Sequence, residues 1–319
     1  MSLAEAISPT GNLVKTLCKN TQDTIVAKLN GFEKNTSFVF DEWSREKNKG
    51  GGISSIIENG STFEKAGVNI SSIRGQIKSD KEISMFSQLF KQQKLDSNQI
   101  YNSEYFATGV SLVIHPVNPF IPTVHMNYRF FEVCTPDKKR LWWFGGGSDL
   151  TPYFINEDDF KHFHQTLKNT CDNVDNSFYP LFKKKCDHYF YLPHRREHRG
   201  IGGIFFDYLN TESEEYYIEF ITACANSFLP SYVPIIEKNH STEFSNHDKQ
   251  WQAYRRSRYV EFNLLHDRGT LFGLKTNGRI ESIFMSLPRH ASWLYDESIM
   301  TNKHKEFMHV ITTPQNWIS

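Results

Sequence analysis

Apolar and polar side chains alternate along residues 123–133, and this period of two is typical of a β-strand with two different faces. Three polar side chains, His125, Asn127 and Arg129, share one face of the predicted strand. The opposite face carries Val124, Met126, Tyr128 and Phe130. Packing against a core does not explain a row of three polar side chains on one strand face. We therefore single out His125, in this row, as a candidate functional residue.

Residues 259–287 contain the clearest hairpin signal, and for them we predict strand, turn, strand, turn and strand. Val260, Phe262 and Leu264 alternate with polar neighbours, which predicts a strand with one apolar face. Asn277-Gly278 separates two apolar runs, as in a two-residue type I′ turn. This stretch is therefore expected to be a central part of the sheet.

Two predicted turns place acidic side chains at strand ends. Asp267-Arg268-Gly269 ends the first strand of residues 259–287 and sets a carboxylate beside a guanidinium. On spacing alone, this is an ordinary turn with an exposed ion pair of small energetic value. Three glycines at 145–147 permit a tight backbone path that could bring Asp149 over a ligand.

The remaining pattern predicts one α+β domain over residues 1–319, with a mainly antiparallel sheet flanked by helices. Further strands are predicted at 38–43, 53–58, 109–114, 141–144 and 202–206. Helices are predicted after Ser8-Pro9 up to Gly31 and at 158–170, 178–190, 213–228, 242–258 and 303–311, with a surface helix and loop at 78–103.

The composition limits the possible partners and compartments. Lysine plus arginine and aspartate plus glutamate both number 36, so no overall field attracts nucleic acid or an anionic membrane. Five scattered cysteines without a C-x-x-C motif favour free thiols in a reducing compartment. No stretch has the length and apolarity of a membrane span, and no targeting segment is recognised. The expected location is cytoplasmic.

The search for reactive groups leaves acid–base chemistry. No G-x-S-x-G elbow and no G-x-G-x-x-G fingerprint is present, so neither a serine nucleophile nor a dinucleotide site is indicated. His115, His125, His164 and His194 could converge on a metal, but H-E-x-x-H spacing is absent and we predict no metal site. Asp267, Asp149 and His125 remain as candidate acids and bases.

Three arginines fall on or beside predicted strands instead of on the outside of helices. Arg129, Arg268 and Arg279 have this placement. Because a planar guanidinium binds a carboxylate through two parallel hydrogen bonds and stays charged when desolvated, strand-borne arginines suit a polycarboxylate ligand. Exposed rims of sheets also carry arginines, so this pattern alone leaves both interpretations open.

Several long segments, in order, resemble the oxygen-dependent coproporphyrinogen III oxidases of haem biosynthesis, from about Gly51 to Trp317. They are FEKAGVNIS, GVSLVIHPVNPFIPTVHMNYRFFE, WWFGGGSDLTPY, HRGIGGIFFD and YVEFNLLHDRGTLFGLKTNGRIESIFMSLP. The resemblance implies oxidative decarboxylation of two propionates of coproporphyrinogen III to vinyl groups, giving protoporphyrinogen IX, with dioxygen as co-substrate and no organic cofactor. It also implies a flat antiparallel sheet sandwiched between helices, and a homodimer formed around residues 259–288 and the segment before them.

The resemblance also assigns residues to roles. It places the proton-donor histidine on His125 and further functional groups on Asp149, Asp267 and Arg268. It places substrate binding on Ser111, Asn127, Tyr128, Arg129, Asn277, Gly278 and Arg279. On this basis we hypothesise that Asp267, held by Arg268, accepts a pyrrole N–H or orients the tetrapyrrole. The arginines would hold carboxylates, and Asp149 and His125 would place protons.

Some positions depart from the family pattern. Tyr208 stands where many relatives have a second aspartate after Asp207, which argues against a carboxylate pair there. Arg199 lies in a run that differs from the usual one, so it is assigned no role. Some bacterial relatives are described with a divalent metal on the four histidines named above. A metal-dependent enzyme and a non-catalytic tetrapyrrole-binding protein therefore remain alternatives.

Overall fold

A seven-stranded antiparallel sheet organises the chain in the computed structural model, which describes residues 7–79, 83, 100–275, 278–296 and 299–318. Its strand order is β1-β2-β3-β4-β5-β6-β9, so neighbours in sequence are neighbours in space. The strands are β1 (Val39–Ser44), β2 (Gly50–Glu58), β3 (Phe63–Gln76), β4 (Glu104–Pro116), β5 (Thr123–Cys134), β6 (Arg140–Thr151) and β9 (Gly202–Leu209). A separate two-stranded ribbon is formed by β7 (Tyr191–Leu192) and β8 (Glu197–His198).

Eight α-helices lie within the described part of the chain. They are α1 (Pro9–Asn30), α2 (Glu157–Asp172), α3 (Phe178–Tyr189), α4 (Glu214–Asn239), α5 (Asn246–Leu265), α6 (Arg268–Lys275), α7 (Ile280–Phe284) and α8 (Asn302–Thr312). In these ranges no helix has the length and apolar character that crossing a membrane requires. The predicted α+β fold, with an antiparallel sheet between helices, is confirmed.

The apolar face of the sheet forms the main core. Val110 and Leu112 of β4 and Met126 and Phe130 of β5 are buried there, in one cluster with apolar residues of α1, α2 and α4. Their even numbering follows from the period of two, which sends alternate side chains to opposite faces. The odd-numbered positions of the same strands, including His125, therefore face the other side.

On that other side the chain is helical, and the prediction of strands for residues 259–287 is wrong. Residues 259–265 complete α5, and the hairpin expected at Asn277-Gly278 is replaced by α6 and α7. Buried positions on α5 include Trp251, Arg255, Tyr259 and Phe262, spaced by three or four residues as on one helix face. Thr276 and Asn277 lie outside the described residues, as does most of the predicted surface segment 78–103.

Side-chain contacts attach α7 and its flanks to the sheet. Lys65 donates to the carbonyl of Phe284 (3.1 Å), and Asn69 donates to the carbonyl of Ser282 (3.2 Å). Met285 covers Gly67 so closely that a Cβ there would lie 1.5 Å from its Sδ. The helices α5 to α7 are thus held above the polar face of the sheet, with space between them and the central strands.

Three predicted elements differ in extent. The strand predicted at 141–144 continues through the three glycines to Thr151, so Gly145–Gly147 is not a tight turn and Asp149 lies inside β6. The helix predicted at 213–228 runs to Asn239 despite Pro230 and Pro234. Helix and strand boundaries elsewhere move by a few residues.

Candidate active site

An open cavity lies between the polar face of the sheet and helices α5 to α7. Its volume is about 350 Å³, within the range of small-molecule sites. Seven residues predicted to form the site line it together: Ser111, His125, Asn127, Arg129, Asp267, Gly278 and Arg279. Helix α5 contributes Tyr259 and Asn263 to the wall opposite the sheet.

The strand register explains why the sheet residues converge. Ser111 pairs with Asn127, and Gly109 pairs with Arg129, across β4 and β5. Side chains at directly paired positions project to the same face of an antiparallel sheet. His125, Asn127 and Arg129 therefore form a row along β5, and Ser111 extends the polar surface onto β4.

Two residues assigned to substrate binding are not placed in this cavity. The side chain of Tyr128 points to the opposite face, is 2% exposed, and stacks near Phe206 with ring centroids 6.2 Å apart. This orientation follows from the alternation along β5 that brings Asn127 and Arg129 to the cavity. Asn277 lies outside the described residues, whereas its neighbour Gly278 lines the cavity.

Asp149 lies behind His125 and links it to a buried arginine. The two residues are paired across β5 and β6, and His125 Nδ1 lies 2.8 Å from Asp149 Oδ1. Arg199 Nη2 donates to Asp149 Oδ2 at 2.7 Å. Burial alone would raise the pKa of Asp149, but the charge of Arg199 and the hydrogen bond from His125 hold this pKa below its ordinary value. Asp149 is therefore a carboxylate near neutral pH.

Arg199 is buried, with 3% of its surface exposed, although it is among the residues that line the cavity. Its guanidinium carbon lies 4.1 Å from the ring centroid of Phe190, 4.3 Å from that of Tyr259 and 4.8 Å from that of Phe262. Its Nη1 donates to Asn263 Oδ1 at 2.9 Å. Such aromatic enclosure favours a cation through cation–π attraction, and Asp149 supplies the counter-charge. Sequence reasoning had assigned Arg199 no role.

Asp207 links Arg129, which lines the cavity, to Arg268 at the start of α6, which is not among the residues that line it. Arg129 Nη2 lies 3.2 Å from Asp207 Oδ1, and Arg268 Nη2 lies 3.4 Å from Asp207 Oδ2. Gly145 leaves the space for this arrangement, since a Cβ there would lie 2.7 Å from Asp207 Oδ1 and 3.1 Å from Arg129 Nε. Two guanidinium groups thus share the Asp207 carboxylate, and the nearby Asp267 carboxylate supplies a second negative charge.

Asp267 is held differently from the hypothesis. Its Oδ1 accepts from the hydroxyl of Tyr189 at 2.8 Å, and its Oδ2 accepts from the backbone N–H of Thr270 at 2.6 Å. The second bond is the capping interaction of a helix N-terminus, because α6 begins at the next residue. Arg268 pairs with Asp207 instead of holding Asp267, and the prediction that Arg268 orients Asp267 is wrong.

Arg279 lies near the edge of the sheet, where carboxylates already compensate its charge. Its Nη1 lies 2.6 Å from Asp41 of β1, and its Nε lies 3.4 Å from Glu281. Since Arg279 lines the cavity near β1, and Arg129 and Arg268 lie near β9, the predicted arginines are distributed over two ends of one site.

The four histidines considered for a metal each have separate protein partners. His115 contacts Thr123 (3.0 Å) and the Ser286 carbonyl (2.9 Å), and burial holds its pKa well below the ordinary value. His164 contacts Tyr179 and the Ile201 carbonyl, and burial lowers its pKa to about 3. His194 contacts Glu261 at 2.8 Å. Among the residues that the structure describes, no group of three or more His, Cys, Asp or Glu is arranged to hold a metal ion.

Sequence comparison agrees with this geometry. The model of the family described as coproporphyrinogen III oxidase matches residues 13–317. The chain is 46% identical to coproporphyrinogen-III oxidase 1, chloroplastic, of Arabidopsis thaliana, over 95% of this chain and 78% of that protein. It is 48% identical to the oxygen-dependent coproporphyrinogen-III oxidase of Drosophila melanogaster, over 88% of this chain and 71% of that protein.

A human protein with a similar name also matches nearly the whole chain. The oxygen-dependent coproporphyrinogen-III oxidase, mitochondrial, of Homo sapiens is 46% identical over 95% of this chain and 66% of its own length. The family match begins at residue 13 and therefore includes most of α1, which the resemblance from Gly51 onward had left out. With nearly the whole sequence matched, the chain belongs to the coproporphyrinogen III oxidase family.

Proposed function

We propose that the chain catalyses the oxygen-dependent oxidative decarboxylation of two propionates of coproporphyrinogen III, giving protoporphyrinogen IX. The observation that carries this proposal is one cavity in which carboxylate-binding arginines lie beside the His125–Asp149 pair. Membership of the family supports the same reaction. A site with these groups can both bind a polycarboxylate and move protons.

Arg129 and Arg268 are the proposed carboxylate ligands at the His125 end. Their side chains keep 35% and 50% of their surface exposed although both contact Asp207. A guanidinium has five N–H donors, so each can bind a propionate without releasing Asp207. The N–H donors that remain exposed on these two guanidinium groups would bind the anionic side chain that reacts.

His125 is the proposed proton carrier. Because the carboxylate of Asp149 can only accept, Nδ1 of His125 carries the hydrogen in their 2.8 Å contact. Nε2 is then left as an acceptor on a side chain that lines the cavity. It can take a proton from the substrate and return it, while Asp149 and Arg199 keep the ring in one tautomer.

Asp267 is proposed to accept a pyrrole N–H of the substrate. Its two oxygens accept from Tyr189 and Thr270, and each retains a further lone pair toward the cavity that Asp267 lines. Loss of the pyrrole proton to Asp267 makes the ring more electron-rich and easier for dioxygen to oxidise, and Asp267 returns this proton once the electrons have left the ring. Starting from the propionate carboxylate, each step then releases carbon dioxide, one β-carbon proton and two electrons, and the electrons pass to dioxygen.

We propose that the reaction uses dioxygen as co-substrate without an organic cofactor or a bound metal. The electron-rich tetrapyrrole is itself the reductant, so the protein need only bind, orient and deprotonate it. Metal analysis followed by assay after chelation tests this point. Activity that is lost on chelation and restored by one metal would instead favour the metal-dependent alternative.

Aerobic incubation with coproporphyrinogen III tests the proposed function. Protoporphyrinogen should accumulate in air, be detected after oxidation to its fluorescent form, and be absent under argon. Asp137→Asn, a change of an exposed carboxylate in the turn between β5 and β6 that does not line the cavity, is a control that should keep the full rate. Absence of product in air, with the protein folded, would contradict the proposal and would leave the metal-dependent and tetrapyrrole-binding alternatives.

We also propose a homodimer formed through residues 259–288 and the segment before them. Exposed aliphatic side chains on these helices support it: Leu264, Leu265, Leu274 and Ile280 are 40%, 58%, 36% and 48% exposed. Apolar surface of this kind is common where proteins associate. Light scattering after size exclusion should give twice the mass of 37.2 kDa, and Leu265→Asp should shift the mass toward the monomer.

We propose the cytoplasm as the site of action. All five cysteines are free in the structure, and four of them are buried, which suits a reducing compartment. The names of the Arabidopsis and human relatives place those proteins in the chloroplast and the mitochondrion. Fractionation of cells that express the chain is the test, and recovery in an organelle would contradict the cytoplasmic proposal.

A further inference from the structure

Two side chains near the edge of the sheet line the cavity but have no part in the chemistry proposed above. They are Trp43, at the end of β1, and Arg45, which follows that strand. No sequence motif considered above includes either of them. Their position relative to His125 and Arg129 follows from the strand register.

A transverse row of paired residues connects Trp43 to Arg129. Trp43 pairs with Gly52, Gly52 with Ser71, Ser71 with Gly109, and Gly109 with Arg129. The three residues between the ends are small: two glycines and a serine. The row therefore forms a shallow trough floored by small residues, with the Trp43 indole covering Gly52 at one end.

The trough is long enough to separate two binding regions. Four inter-strand steps of about 4.8 Å place Trp43 and Arg129 roughly 19 Å apart along the sheet. A flat macrocycle that carries extended propionates on both sides can bridge such a distance. Arg129 shares the polar row of β5 with His125, four residues or about 13 Å away, so the Trp43 end is the more remote from the proposed chemistry.

Arg45 is a cation that the protein leaves uncompensated. Within the described ranges its guanidinium has no hydrogen bond or ion pair, and only its backbone N–H is bonded, to the Gly50 carbonyl at 2.7 Å. Arg279, at the same end of the cavity, is already compensated by Asp41 and Glu281. An anion that enters this end therefore meets one free guanidinium, that of Arg45.

Trp43 provides a second polar group without a partner. Its indole lies across Gly52, since a Cβ there would lie 2.5 Å from Cζ2 and 2.8 Å from Cε2 of the ring. Its Nε1 is buried and has no hydrogen-bond acceptor among the described residues. A buried donor without a partner is costly, and a ligand oxygen at this end of the trough would satisfy it.

We propose that Arg45 and Trp43 form a second carboxylate subsite, which holds a propionate that the reaction leaves unchanged. The proposal rests on the proposed function, because it assumes a tetracarboxylate tetrapyrrole in the cavity. With the macrocycle lying on the trough, a retained propionate bound to Arg45 directs the opposite side of the ring toward His125. The subsite thus contributes to the choice of which propionates react.

Anaerobic calorimetric titration with coproporphyrinogen III tests binding separately from turnover. Arg45→Gln should weaken binding about tenfold or more, the usual effect of removing one charged hydrogen-bond partner. Lys47→Gln removes an exposed positive charge from the same segment and should change the dissociation constant less than twofold. Arg45→Lys keeps the charge without the planar fork and should be intermediate. Circular dichroism checks that each variant is folded.

A substrate analogue makes the test specific to the retained propionates. The probe is the same porphyrinogen with ethyl groups in place of the two propionates that are not converted. The unaltered chain should bind it about tenfold more weakly than coproporphyrinogen III, and Arg45→Gln should cause no further loss. The subsite would be overturned if Arg45→Gln weakened binding of the analogue as much as it weakens binding of coproporphyrinogen III. It would also be overturned if Arg45→Gln bound coproporphyrinogen III as tightly as the unaltered chain does.

The result is distinguishable from failure of the proposed function. If the unaltered chain binds coproporphyrinogen III in a manner dependent on Arg45 but yields no vinyl product in air, the subsite stands and the reaction is wrong. If it yields product while Arg45→Gln binds and turns over like the unaltered chain, the reaction stands and the subsite is wrong. Absence of any binding by the unaltered chain would overturn both.

Discussion

His125 and Asp149 face each other across neighbouring strands with Nδ1 and Oδ1 2.8 Å apart, so a buried carboxylate fixes the tautomer of a histidine that lines the cavity. The carboxylate is itself fixed by Arg199 on its other oxygen. The register of the sheet sets the contact between His125 and Asp149, and the connection between β8 and β9 supplies Arg199. It positions one proton-carrying group with little freedom to reorient.

Asp149→Asn should therefore reduce kcat by about 10²-fold or more while KM changes little. An amide in this place can donate to Nδ1, which would move the ring hydrogen to Nε2 and remove the acceptor that faces the substrate. Steady-state rates of protoporphyrinogen formation measure the effect. A variant with normal kcat would show that His125 does not depend on Asp149.

The buried pair of Asp149 and Arg199 should be strongly coupled in stability. Arg199→Met leaves the carboxylate buried without its counter-charge, which should cost roughly 3–5 kcal/mol of unfolding free energy. Adding Asp149→Asn to Arg199→Met should recover part of that loss. Urea denaturation of the two single variants and the double variant gives the coupling, and strictly additive losses would contradict the pairing.

Asp267 combines a helix cap with a proposed acid–base role, and substitution can separate them. Asp267→Ser keeps a side-chain oxygen for the Thr270 N–H, so the unfolding free energy should fall by less than about 0.5 kcal/mol. Asp267→Ala loses the cap and should cost about 1 kcal/mol. Both variants should lose most of their activity. Near-normal turnover by Asp267→Ser would show that Asp267 acts only as a helix cap. Near-normal turnover by Arg268→Ala would show that Arg268 has no role in the reaction.

Gly145→Ala should weaken substrate binding without removing the proton chemistry. Its Cβ would displace Arg129 and Asp207 from their contact, so KM should rise severalfold while kcat stays within about threefold. Combining it with Asp207→Ala, which removes one of the clashing groups, should restore part of the loss. If KM is unchanged in Gly145→Ala, the Arg129–Asp207 arrangement does not bind substrate.

Glu261 should make stability depend on pH in the acid range. Burial opposes its ionisation, but hydrogen bonds from Arg195, His194 and Trp293 lower its pKa from 4.5 to about 2. Because the folded-state pKa is the lower one, the stabilisation is present above about pH 4.5 and is lost as the pH falls toward 2. We expect the unaltered chain to be more stable than Glu261→Gln above this window, and the difference in unfolding free energy to fall by about 1 kcal/mol across it. Urea denaturation at several pH values measures this difference. A difference that stays constant with pH would contradict this assignment.

The sheet could be predicted from the sequence where one face is apolar. Alternation along β5 identified both the core face and the polar row of His125, Asn127 and Arg129. It failed for Tyr259–Leu265, where Val260, Phe262 and Leu264 give the same short alternation although the backbone is helical. A short apolar run fits either period, and the preceding turns of α5, with Trp251 and Arg255 buried on the same side, decide the structure.

The site partners missed from the sequence come from tertiary contacts. Arg199 and Asp207 lie 50 and 58 residues from Asp149, and no local spacing indicates that each would contact a residue predicted for the site. The three glycines at 145–147 predict a tight turn. In the structure they are strand positions, and Gly145 leaves room for the side chains of Arg129 and Asp207.

In the proposed reaction, the cavity couples propionate loss to oxygen through the His125–Asp149 pair. Carbon dioxide released from coproporphyrinogen III by the unaltered chain and by Asp149→Asn, in air and under argon, tests this coupling. We expect two molecules of carbon dioxide for each macrocycle converted by the unaltered chain in air, and almost none in the other three conditions. Equal release under argon, or equal release by Asp149→Asn, would contradict it.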